Sequence, residues 1–489
     1  MNTILLQPTD VLFFRDGRPM EDSLAGHGAA WPLPNVIDAA FHAALHRSGL
    51  SGHYHDHRRG AVRSGKDNRR FGSLVTAGPF PVCVESNGRP LEKPVWFFPR
   101  PLDLRDTTLR PALFPANQMD RTLSSLPEPL EYPIANSQPP SKETPATAWL
   151  SAAAYQAYLN PSDPPDLPDW SKPSALPPFL SDSDFFDAEA TIGIAIDPAT
   201  GTTGRGEAAG RIYSAYYLRL REGWRIGVFA KMEEKQDGDS RRIDLIRDLL
   251  NQPCHILVGG QQRLCTATRI KVDTLPLPRG MTSHFNKHER KWLVKWILLS
   301  PAIWPEIQAN EQKGVPYHPG GGLPNWVRAS DGRVMLRAGQ RQPRYYEGKH
   351  TRGYAEDAKE IAAKLVAAIV PKPIVVTGWA LPNDTVRPEG GAKSTHLAVP
   401  AGAVYYFEAD SETDAQNLAA ALNWHGPVRD RSDRSDPSDP SNFTTIRNRR
   451  STLLGEKGFG LGVCGTWEFY RSDRSDPSDS TQQNKETAP

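Results

Sequence analysis

The stretch TILLQPTDVLFFRDGRP (residues 3–19), followed by PNVIDAAFHAALHRSG (residues 34–49), decides the fold expected for this chain. Residues 3–6 and 11–14 are short apolar runs that predict extended strands, and residues 15–19 then predict a turn. Within residues 36–45 the apolar side chains recur three and four positions apart, and Gly49 lies just past them, which predicts a helix. Because a strand, a polar turn and an amphipathic helix begin many α+β domains, we expect a fold of that class.

The rest of the chain continues this mixture of strands and helices. Alternating or β-branched apolar runs predict strands at residues 190–196, 212–220, 255–260, 374–379, 403–408 and 467–470, and residues 291–299 form a further apolar stretch. The run at 224–229 follows residues 212–220 after a short turn, so we expect these two strands to pair as a hairpin. Apolar residues at helical spacing predict helices over residues 243–250, 355–370 and 414–424.

Composition excludes several classes of protein. The 489 residues suffice for two or three domains, and the 45 prolines and 39 glycines predict long irregular connections. No apolar run approaches the ~18 residues of a membrane helix, and the N-terminus has no basic region before an apolar one, so neither membrane insertion nor secretion is expected. Four scattered cysteines without a CxxC pair favour a cytoplasmic protein over a disulfide framework or zinc ribbon. The net charge of +2 neither requires nor excludes a nucleic-acid partner.

Three segments differ from this pattern. Residues 98–185 carry a proline every few positions, which predicts an insertion that lies on the surface without a sheet of its own. Residues 51–70 hold six Lys/Arg and two Asp, a composition typical of a solvated loop. The nonapeptide RSDRSDPSD occurs at 431–439 and again at 471–479, and its alternating charges cancel. We therefore expect a disordered loop over about 428–445 and a disordered tail over 471–489.

Two glycine-rich stretches are candidate nucleotide sites. Neither GEKGFG (residues 455–460) nor EGGAKST (residues 389–395) has the spacing of a P-loop, so ATP hydrolysis is not expected. In the first stretch, glycines let backbone N–H groups approach a phosphate, Lys457 adds charge and Phe459 offers a flat face to a base. A glycine-rich bend before an edge strand explains the same residues equally well. The second stretch is better explained as a flexible basic loop.

The turn FRDGRP (residues 14–19) is the strongest local signal of binding. Asp16 can fix the turn through its own side chain, and Arg15 can form paired hydrogen bonds to a phosphate or a carboxylate. An Arg–Asp pair that only braces the turn would look the same, so both interpretations stay open.

Patterns for metal and nucleophilic chemistry are weak. The chain has no GxSxG elbow, and the alternating histidines at 53, 55 and 57 lack a second ligand cluster nearby, so we expect no metal site and no cofactor. Metal-independent RNA cleavage needs histidines as general acid and base, for which His27, His42 and His46 are the candidates. Ordinary positions on a helix surface or in a loop explain these three histidines better.

Taken together, the segments resemble one family. FRDGRP followed by a Pro-bounded helix is similar to the N-terminal signature of the Cmr-complex subunit three family of type III-B CRISPR–Cas effectors, a RAMP-superfamily group related to the Cas five group. Further similar segments follow in the same order: IGIAID (192–197), IY (212–213), VGGQQR (258–263), TGW (377–379), VPAGAVYYF (399–407) and GEKGFG (455–460). The string GQQR (260–263) has Gln where the family often has an acidic residue, and Met20 replaces a common Phe.

The resemblance implies two ferredoxin-like (RRM-like) domains with antiparallel sheets, over residues 1–275 and 276–470, with long loop insertions and a C-terminal glycine-rich loop. It also implies a non-catalytic subunit that caps the 5′ handle of the CRISPR RNA. Its protein partners would be the large polymerase/cyclase-like subunit and the RAMP backbone subunit of the filament, and target RNA would be engaged only indirectly.

The residues themselves fit single-stranded RNA, which is held by cations, glycine turns and aromatic faces. The candidate RNA-binding residues, all in turn or glycine-rich contexts, are Arg15, Asp16, Arg18, Lys66, Arg69, Arg70, Arg205, Arg211, Arg263, Lys393, Gly455, Lys457, Gly458, Phe459 and Gly460. Two alternatives remain: a metal-independent endoribonuclease that processes CRISPR precursor RNA, and a subunit that only bridges proteins while these basic residues are solvated.

Overall fold

The structure is a computed structural model. It describes residues 1–14, 31–50, 74–104, 108–116, 127–137, 147–160, 169, 176–194, 196–197, 199–203, 212–235, 242–339, 342–346, 349–353, 358–380, 389, 391–428 and 440–470. Within these ranges the fold is mixed and rich in sheet, with few helices. None of the described helices combines the length and the apolar character needed to span a membrane.

The strands run through the described chain in the following order. They are β1 (Asn2–Pro8), β2 (Leu74–Ser86), β3 (Arg89–Pro99), β4 (Leu113–Pro115), β5 (Ile134–Asn136), β6 (Trp149–Ser151), β7 (Phe179–Leu180), β8 (Phe186–Ile194), β9 (Ile212–Leu220), β10 (Trp224–Lys235), β11 (Arg242–Asp244), β12 (Cys254–Leu257), β13 (Leu264–Ile270), β14 (Asn286–His288), β15 (Lys291–Leu298), β16 (Gln342–Tyr346), β17 (Lys349–Gly353), β18 (Ala363–Ile369), β19 (Ile374–Val376), β20 (Trp379–Ala380), β21 (Gly391–Ala392), β22 (His396–Ala398), β23 (Val404–Ala409) and β24 (Gly462–Thr466). The α-helices are α1 (Pro34–Ser48), α2 (Ala152–Leu159), α3 (Leu245–Leu249) and α4 (Glu412–Leu422).

Two large antiparallel sheets form the body of the protein. The first has nine strands in the order β12-β13-β1-β10-β2-β3-β6-β7, with β11 beside β10. The second has the order β14-β15-β23-β18, with β24 also paired to β15. The remaining strands form two-stranded sheets, of which the β8–β9 ribbon, nine residue pairs long, is the longest in the described part of the chain.

The two large sheets share an order of strands. In the first, β13-β1-β10-β2 are adjacent, and in the second β24-β15-β23-β18 are adjacent. If the four strands of each set are numbered in chain order, both sets are arranged across their sheet as fourth, first, third, second. In the first sheet α1 follows the first strand and α3 follows the third, while in the second sheet α4 follows the third. Each sheet therefore repeats one connectivity, although no α-helix connects β15 to β18 in the described residues between them.

Three hydrophobic cores pack against the faces of the two large sheets, one between the sheets and one on each outer face. Ile4 and Leu6 on β1 pack with Ile37 and Phe41 of α1 on one face of the first sheet. The other face of that sheet, including Phe80 and Phe229, joins a core with side chains of the second sheet and α2. The far face of the second sheet packs against α4. Successive strand side chains point to opposite faces, so each sheet buries both of its faces.

Helix α1 confirms the opening pattern of the sequence. Its bounds contain the predicted residues 36–45, Pro34 occupies the first turn, and Gly49 ends the helix in the left-handed conformation with φ of 66°. Buried residues Ile37, Phe41 and Leu45 lie on the face that packs against the first sheet. The helices predicted near 243–250 and 414–424 are also present, as α3 and α4.

The described residues of the proline-rich segment 98–185 do not lie on the surface as an insertion, so for them this expectation was wrong. Its strands β6 and β7 extend the first sheet, and α2 buries Tyr155 and Tyr158 in the core shared by both sheets. The Nζ of Lys295 on β15 lies 2.9 Å from a carboxylate oxygen of Asp103, and both side chains are buried. Frequent prolines disfavour long strand pairing, but they do not prevent the aromatic side chains of the described part from filling a core.

Two other predictions about single elements were also wrong. Strand β9 pairs with β8, while β10 pairs with β1, β2 and β11, so the expected hairpin of residues 212–220 with 224–229 does not form. Residues 363–369, predicted as part of a helix over 355–370, form strand β18 and pair with β23. Helical spacing in an alanine-rich run is a weak preference, which pairing with a long buried neighbour overrides.

Candidate nucleic-acid interface

The predicted RNA-binding residues divide between described and undescribed parts of the chain. Eight of them lie outside the described residues: Arg15, Asp16, Arg18, Lys66, Arg69, Arg70, Arg205 and Arg211. The described ones fall into two groups. Arg263 lies at the base of the β8–β9 ribbon, and Lys393 lies near the turn formed by residues 455–460.

The first group, the ribbon-base cluster, consists of Asp10, Phe13, Tyr217, Arg219, Gln261 and Arg263. The turn between β12 and β13 positions Arg263, because Gly260 donates its backbone N–H to the Phe13 carbonyl (2.9 Å) and Gln261 and Gln262 are left-handed at φ of 55° and 54°. Gly259 is required there: a Cβ on it would lie 2.5 Å from the Phe13 carbonyl oxygen. The turn is therefore fixed against the chain that leads into Arg15.

Arg263 lies over one aromatic ring of this cluster, and a second ring contacts the first at an interplanar angle of 48°. The guanidinium carbon of Arg263 lies 5.0 Å from the Tyr217 ring centroid. The ring centroids of Phe13 and Tyr217 are 5.5 Å apart. The Tyr217 hydroxyl donates to Gln261 Oε1 (2.9 Å), which holds the ring in place. A cation above a partly exposed aromatic ring is a suitable surface for a nucleobase, which stacks on both groups.

Arg219 ties the ribbon to β1. Its Nη1 lies 2.9 Å from Asp10 Oδ1, and its Nε is ion-paired with Glu189 on β8. The hydrogen bond from Arg219 lowers the pKa of the Asp10 carboxyl. A cavity of about 280 Å³ lies beside these residues, lined by charged side chains that include Asp10, Glu85, Arg219 and Arg225. Arg219 at the ribbon base is therefore held in place by ion pairs with Asp10 and Glu189.

The second group, the glycine-turn cluster, consists of Asp38, Lys393, Arg449, Glu456 and Lys457. Lys457 Nζ lies 3.3 Å from Asp38 Oδ2, on the buried side of α1. Burial raises the pKa of Asp38, and the nearby charges of Lys457 and Lys393 oppose that rise. Lys457 therefore pairs with Asp38, and Lys393, 64 residues earlier in the chain, is near enough for its charge to act on the same buried carboxylate.

The glycines of residues 455–460 serve close packing of the protein chain. Gly458 and Gly460 have φ of 96° and 76°, and a Cβ on Gly460 would lie 2.1 Å from the backbone nitrogen of Ser451. Their N–H groups donate to Gly455 (3.1 Å) and Pro301 (2.7 Å) carbonyls. Of the two interpretations left open by the sequence, a phosphate approach or a bend, the geometry at these two glycines favours the bend.

Phe459 does not offer a face to a base, which corrects that part of the prediction. Its side chain is fully buried and packs with Ile303, Val376 and Ala398. The two flanking left-handed glycines turn the chain so that the ring points inward. A phenylalanine between two glycines is equally expected for a core anchor and for a stacking platform, and burial decides between them.

Sequence reasoning missed Tyr217, Arg219 and Arg449. Tyr217 and Arg219 were treated only as members of an alternating strand, although a tyrosine and an arginine two positions apart share one face of it. Arg449 belongs to the basic run RNRRS at residues 447–451, which is visible in the sequence. The signal was present, but nothing in it indicated which arginine would be buried.

The histidines of the ribonuclease alternative lie on α1. The rings of His42 and His46 are 4.8 Å apart, with His46 exposed near the helix end, and His27 lies outside the described residues. Among the residues that the structure describes, no three His, Cys, Asp or Glu side chains group as ligands for a metal ion.

Comparison with known families identifies the chain. The family model of the CRISPR-associated protein Cas_Cmr3 matches residues 4–467. The chain belongs to the Cas_Cmr3 family. This match confirms the resemblance to the Cmr-complex subunit three family and makes the chain a subunit of a type III CRISPR effector. The match extends over both large sheets, the ribbon and the segment 98–185.

The Cas_Cmr3 assignment has distant counterparts among solved structures. The chain is similar to a chain of the cryo-EM structure of the type III-B Cmr-beta bound to cognate target RNA and AMPPnP, with 14% identity over 83% of this chain and 86% of that chain and a TM-score of 0.35. A second cryo-EM structure, of the type III-B Cmr-beta bound to cognate target RNA, gives 13% identity over 83% and 86%, with a TM-score of 0.33. The crystal structure of the Csm3-Csm4 subcomplex of the type III-A CRISPR-Cas interference complex gives 9% identity over 83% and 92%, with a TM-score of 0.31. A search of curated proteins finds no match. The family assignment therefore depends on the family model.

Proposed function

We propose that this Cas_Cmr3-family chain is a non-catalytic subunit that binds the 5′ handle of the CRISPR RNA in a type III-B effector. The observation that carries the proposal is the position of Arg263 over the Tyr217 ring, which Phe13 contacts at a tilted angle, at the foot of the ribbon. Phe14, the first residue of FRDGRP and the last one described before Arg15, packs beside Gly259 in the turn that positions Arg263. A cation, two rings and a tight glycine turn are the features that hold a single strand without reading a duplex.

Two further parts of the proposal concern architecture and partners. The shared fourth-first-third-second strand order supports two ferredoxin-like domains, over residues 1–275 and 276–470. The side chains of Ile192 and Ile194 on the ribbon are 77% and 53% exposed, and neighbouring apolar side chains exposed on one element are typical of a binding surface. They support contacts with other subunits, for which the large polymerase/cyclase-like subunit and the RAMP backbone subunit are the proposed partners.

Binding of the purified full-length chain to single-stranded RNA carrying the handle sequence tests this function. Tyr217→Ala is expected to weaken binding by roughly 1–3 kcal/mol, the usual contribution of one stacked base. Arg263→Ala should weaken it as well and reduce its dependence on salt. Arg333→Ala serves as the control, because Arg333 is 72% exposed and pairs with Asp331 away from the cluster. Equal affinity of all four proteins, or cleavage of the RNA by the wild type without metal, would contradict the proposal.

A further inference from the structure

Helix α1 carries two histidines side by side. His42 and His46 are four positions apart, a spacing that places two side chains on the same face of a helix, one turn apart. Their ring centroids lie 4.8 Å apart, and the interplanar angle between the rings is 67°. The helix therefore holds two imidazoles close together, and neither of them belongs to the ribbon-base cluster or the glycine-turn cluster.

This face of α1 differs from the face that packs on the first sheet. The side chains of Ile37, Phe41 and Leu45 are fully buried in the core beneath the helix. His46 is exposed and His42 is half-buried. A small dissolved ion can therefore reach the two rings without any opening of the core.

The separation of the rings fits the chelation of one metal ion. A histidine nitrogen binds Zn²⁺ at about 2.1 Å, so two imidazoles on one tetrahedral ion have ring centroids about 5 Å apart. The 4.8 Å between the rings of His42 and His46 agrees with that value. Two histidines at positions i and i+4 are also the arrangement by which a single helix supplies two ligands to zinc. Binding would thus need little movement of either side chain.

The ligand type and number define the kind of ion. Imidazole nitrogen suits Zn²⁺, Cu²⁺ and Ni²⁺, whereas Mg²⁺ and Ca²⁺ prefer oxygen ligands. A structural zinc site uses four protein ligands. In the described part of the chain, no third His, Cys, Asp or Glu side chain joins this pair. Water therefore fills the remaining positions, and the bound ion exchanges with solvent.

We infer that His42 and His46 together bind one divalent transition-metal ion of the zinc class on the C-terminal half of α1. The ion would link two successive turns of the helix, of which the last ends at Gly49. A bound cation is favourable there, because the last carbonyls of a helix give its C-terminal end a partial negative charge. The site is separate from the alternating histidines at 53, 55 and 57, and it does not depend on the proposed binding of RNA.

Titration of the full-length chain, without an affinity tag, with ZnCl₂ tests the inference. Affinity is measured by competition with a chromogenic chelator. His42→Gln and His46→Gln should each weaken Zn²⁺ binding by at least about tenfold, because either change removes one of two ligands. His288→Gln is the control, since His288 is an exposed histidine on β14 of the second sheet, and it should bind Zn²⁺ like the wild type.

Two further measurements separate chelation from a structural role of the histidines. Zn²⁺ should raise the Tm of the wild type more than that of either variant, because binding to the folded state stabilises it. Without metal, the three proteins should have the same Tm, since neither histidine lies in the core. With one equivalent of Cu²⁺, electron paramagnetic resonance should show two imidazole nitrogen ligands in the wild type and one in each variant.

Several results would overturn the inference. Equal Zn²⁺ affinity of the wild type and both variants would place any bound ion elsewhere on the chain. A loss of affinity in only one variant would show that the two rings do not chelate together. A wild type that does not compete with the chelator for Zn²⁺ would leave the rings in mutual contact only. The proposed binding of RNA stands or falls separately, because none of these measurements involves RNA.

Discussion

Arg263 and Lys457 are both cations at turns, but their neighbours differ. Arg263 lies over the Tyr217 ring, and its nearest carboxylate, Asp10, is 3.9 Å away. Lys457 lies 3.3 Å from Asp38, whose side chain is only 10% exposed. A partly exposed arginine on an aromatic ring can contact RNA at little cost, whereas moving Lys457 would leave a buried carboxylate without its partner. We therefore expect Arg263 to affect RNA affinity and Lys457 to affect mainly stability.

Truncation of Phe459 should destabilise the protein. Phe459→Ala removes a fully buried ring from the contact with Ile303 and Val376, and about 3–5 kcal/mol of the free energy of unfolding should be lost. Urea unfolding measures this loss, with Phe459→Leu as the control that keeps most of the volume. Phe459→Leu should bind RNA like the wild type. Weaker RNA binding by Phe459→Leu at unchanged stability would show that a base does reach the ring.

Asp38 predicts a pH dependence with a defined sign. Its pKa is raised by burial, so between its unfolded value near 3.8 and its higher folded value the folded state binds more protons than the unfolded state. The contribution of Asp38 to stability is therefore highest at low pH and falls as pH rises through the folded pKa. Asp38→Asn should gain stability relative to the wild type as pH rises above about 4. Urea midpoints of both proteins from pH 4 to pH 7 measure this difference. A constant difference, or one of opposite sign, would mean that the attraction of Lys457 exceeds the cost of burial.

Helix α2 and the segment around it connect the two large sheets. Tyr158 of α2 donates its hydroxyl to both carboxylate oxygens of Asp103 (2.7 Å each), and Lys295 of β15 lies 4.1 Å from the Tyr158 ring centroid. Farther along the segment, the backbone N–H groups of Glu131 and Tyr132 donate to the Val366 carbonyl on β18. Burial of one ion pair with a phenol links residues 98–185 to the second sheet more specifically than apolar contact does.

Removing one partner of this ion pair should be costly. Lys295→Met leaves the Asp103 charge buried and should lower the free energy of unfolding by about 3–5 kcal/mol. The double variant Lys295→Met with Asp103→Asn should lose less than the sum of the two single changes, because neither charge then remains alone. Urea unfolding of the four proteins gives the coupling energy. Strictly additive losses would show that the two side chains do not depend on each other.

Elements with strong local signals were predictable from the sequence. Helix α1 follows from apolar spacing, Pro34 and Gly49, all of which act within the helix itself. Strand β18 was mistaken for a helix because its alanine-rich run fits a helical face, and only pairing with β23 decides otherwise. The partner of β9 was equally unpredictable, since the nearer strand in sequence, β10, is occupied by three other strands.

The candidate site was predictable in part, for the same reason. Arg263 and Lys457 were found because glycine turns mark where a chain bends. Tyr217 joins Arg263 only through a contact across 46 residues, and Phe459 differs from an exposed ring only by burial. Neither property is a local property of the sequence. Resemblance to a family, carried by segments spread in order along the chain, indicated the assignment that the family match then confirmed.

At the scale of the whole molecule, the two sheets face each other across one shared core that includes α2, and α1, α3 and α4 lie on the outer faces. Phe80 and Phe229 of the first sheet and Ile297 and Tyr406 of the second belong to that core. The ribbon leaves the body just beyond the C-terminal end of β1, so the ribbon-base cluster lies past the ends of the strands of the first sheet and not in the shared core. This placement leaves a folded body to support a surface that binds RNA.

Photo-crosslinking of CRISPR RNA to the assembled effector tests the central claim most directly. A photoreactive nucleotide is placed at successive positions of the 5′ handle and of the guide, and the crosslinked peptides of this chain are identified. Crosslinks are expected from handle positions to peptides that contain Tyr217 or Arg263, and none are expected there from guide positions. Handle crosslinks that avoid this chain, or that fall on peptides far from the ribbon base, would contradict it.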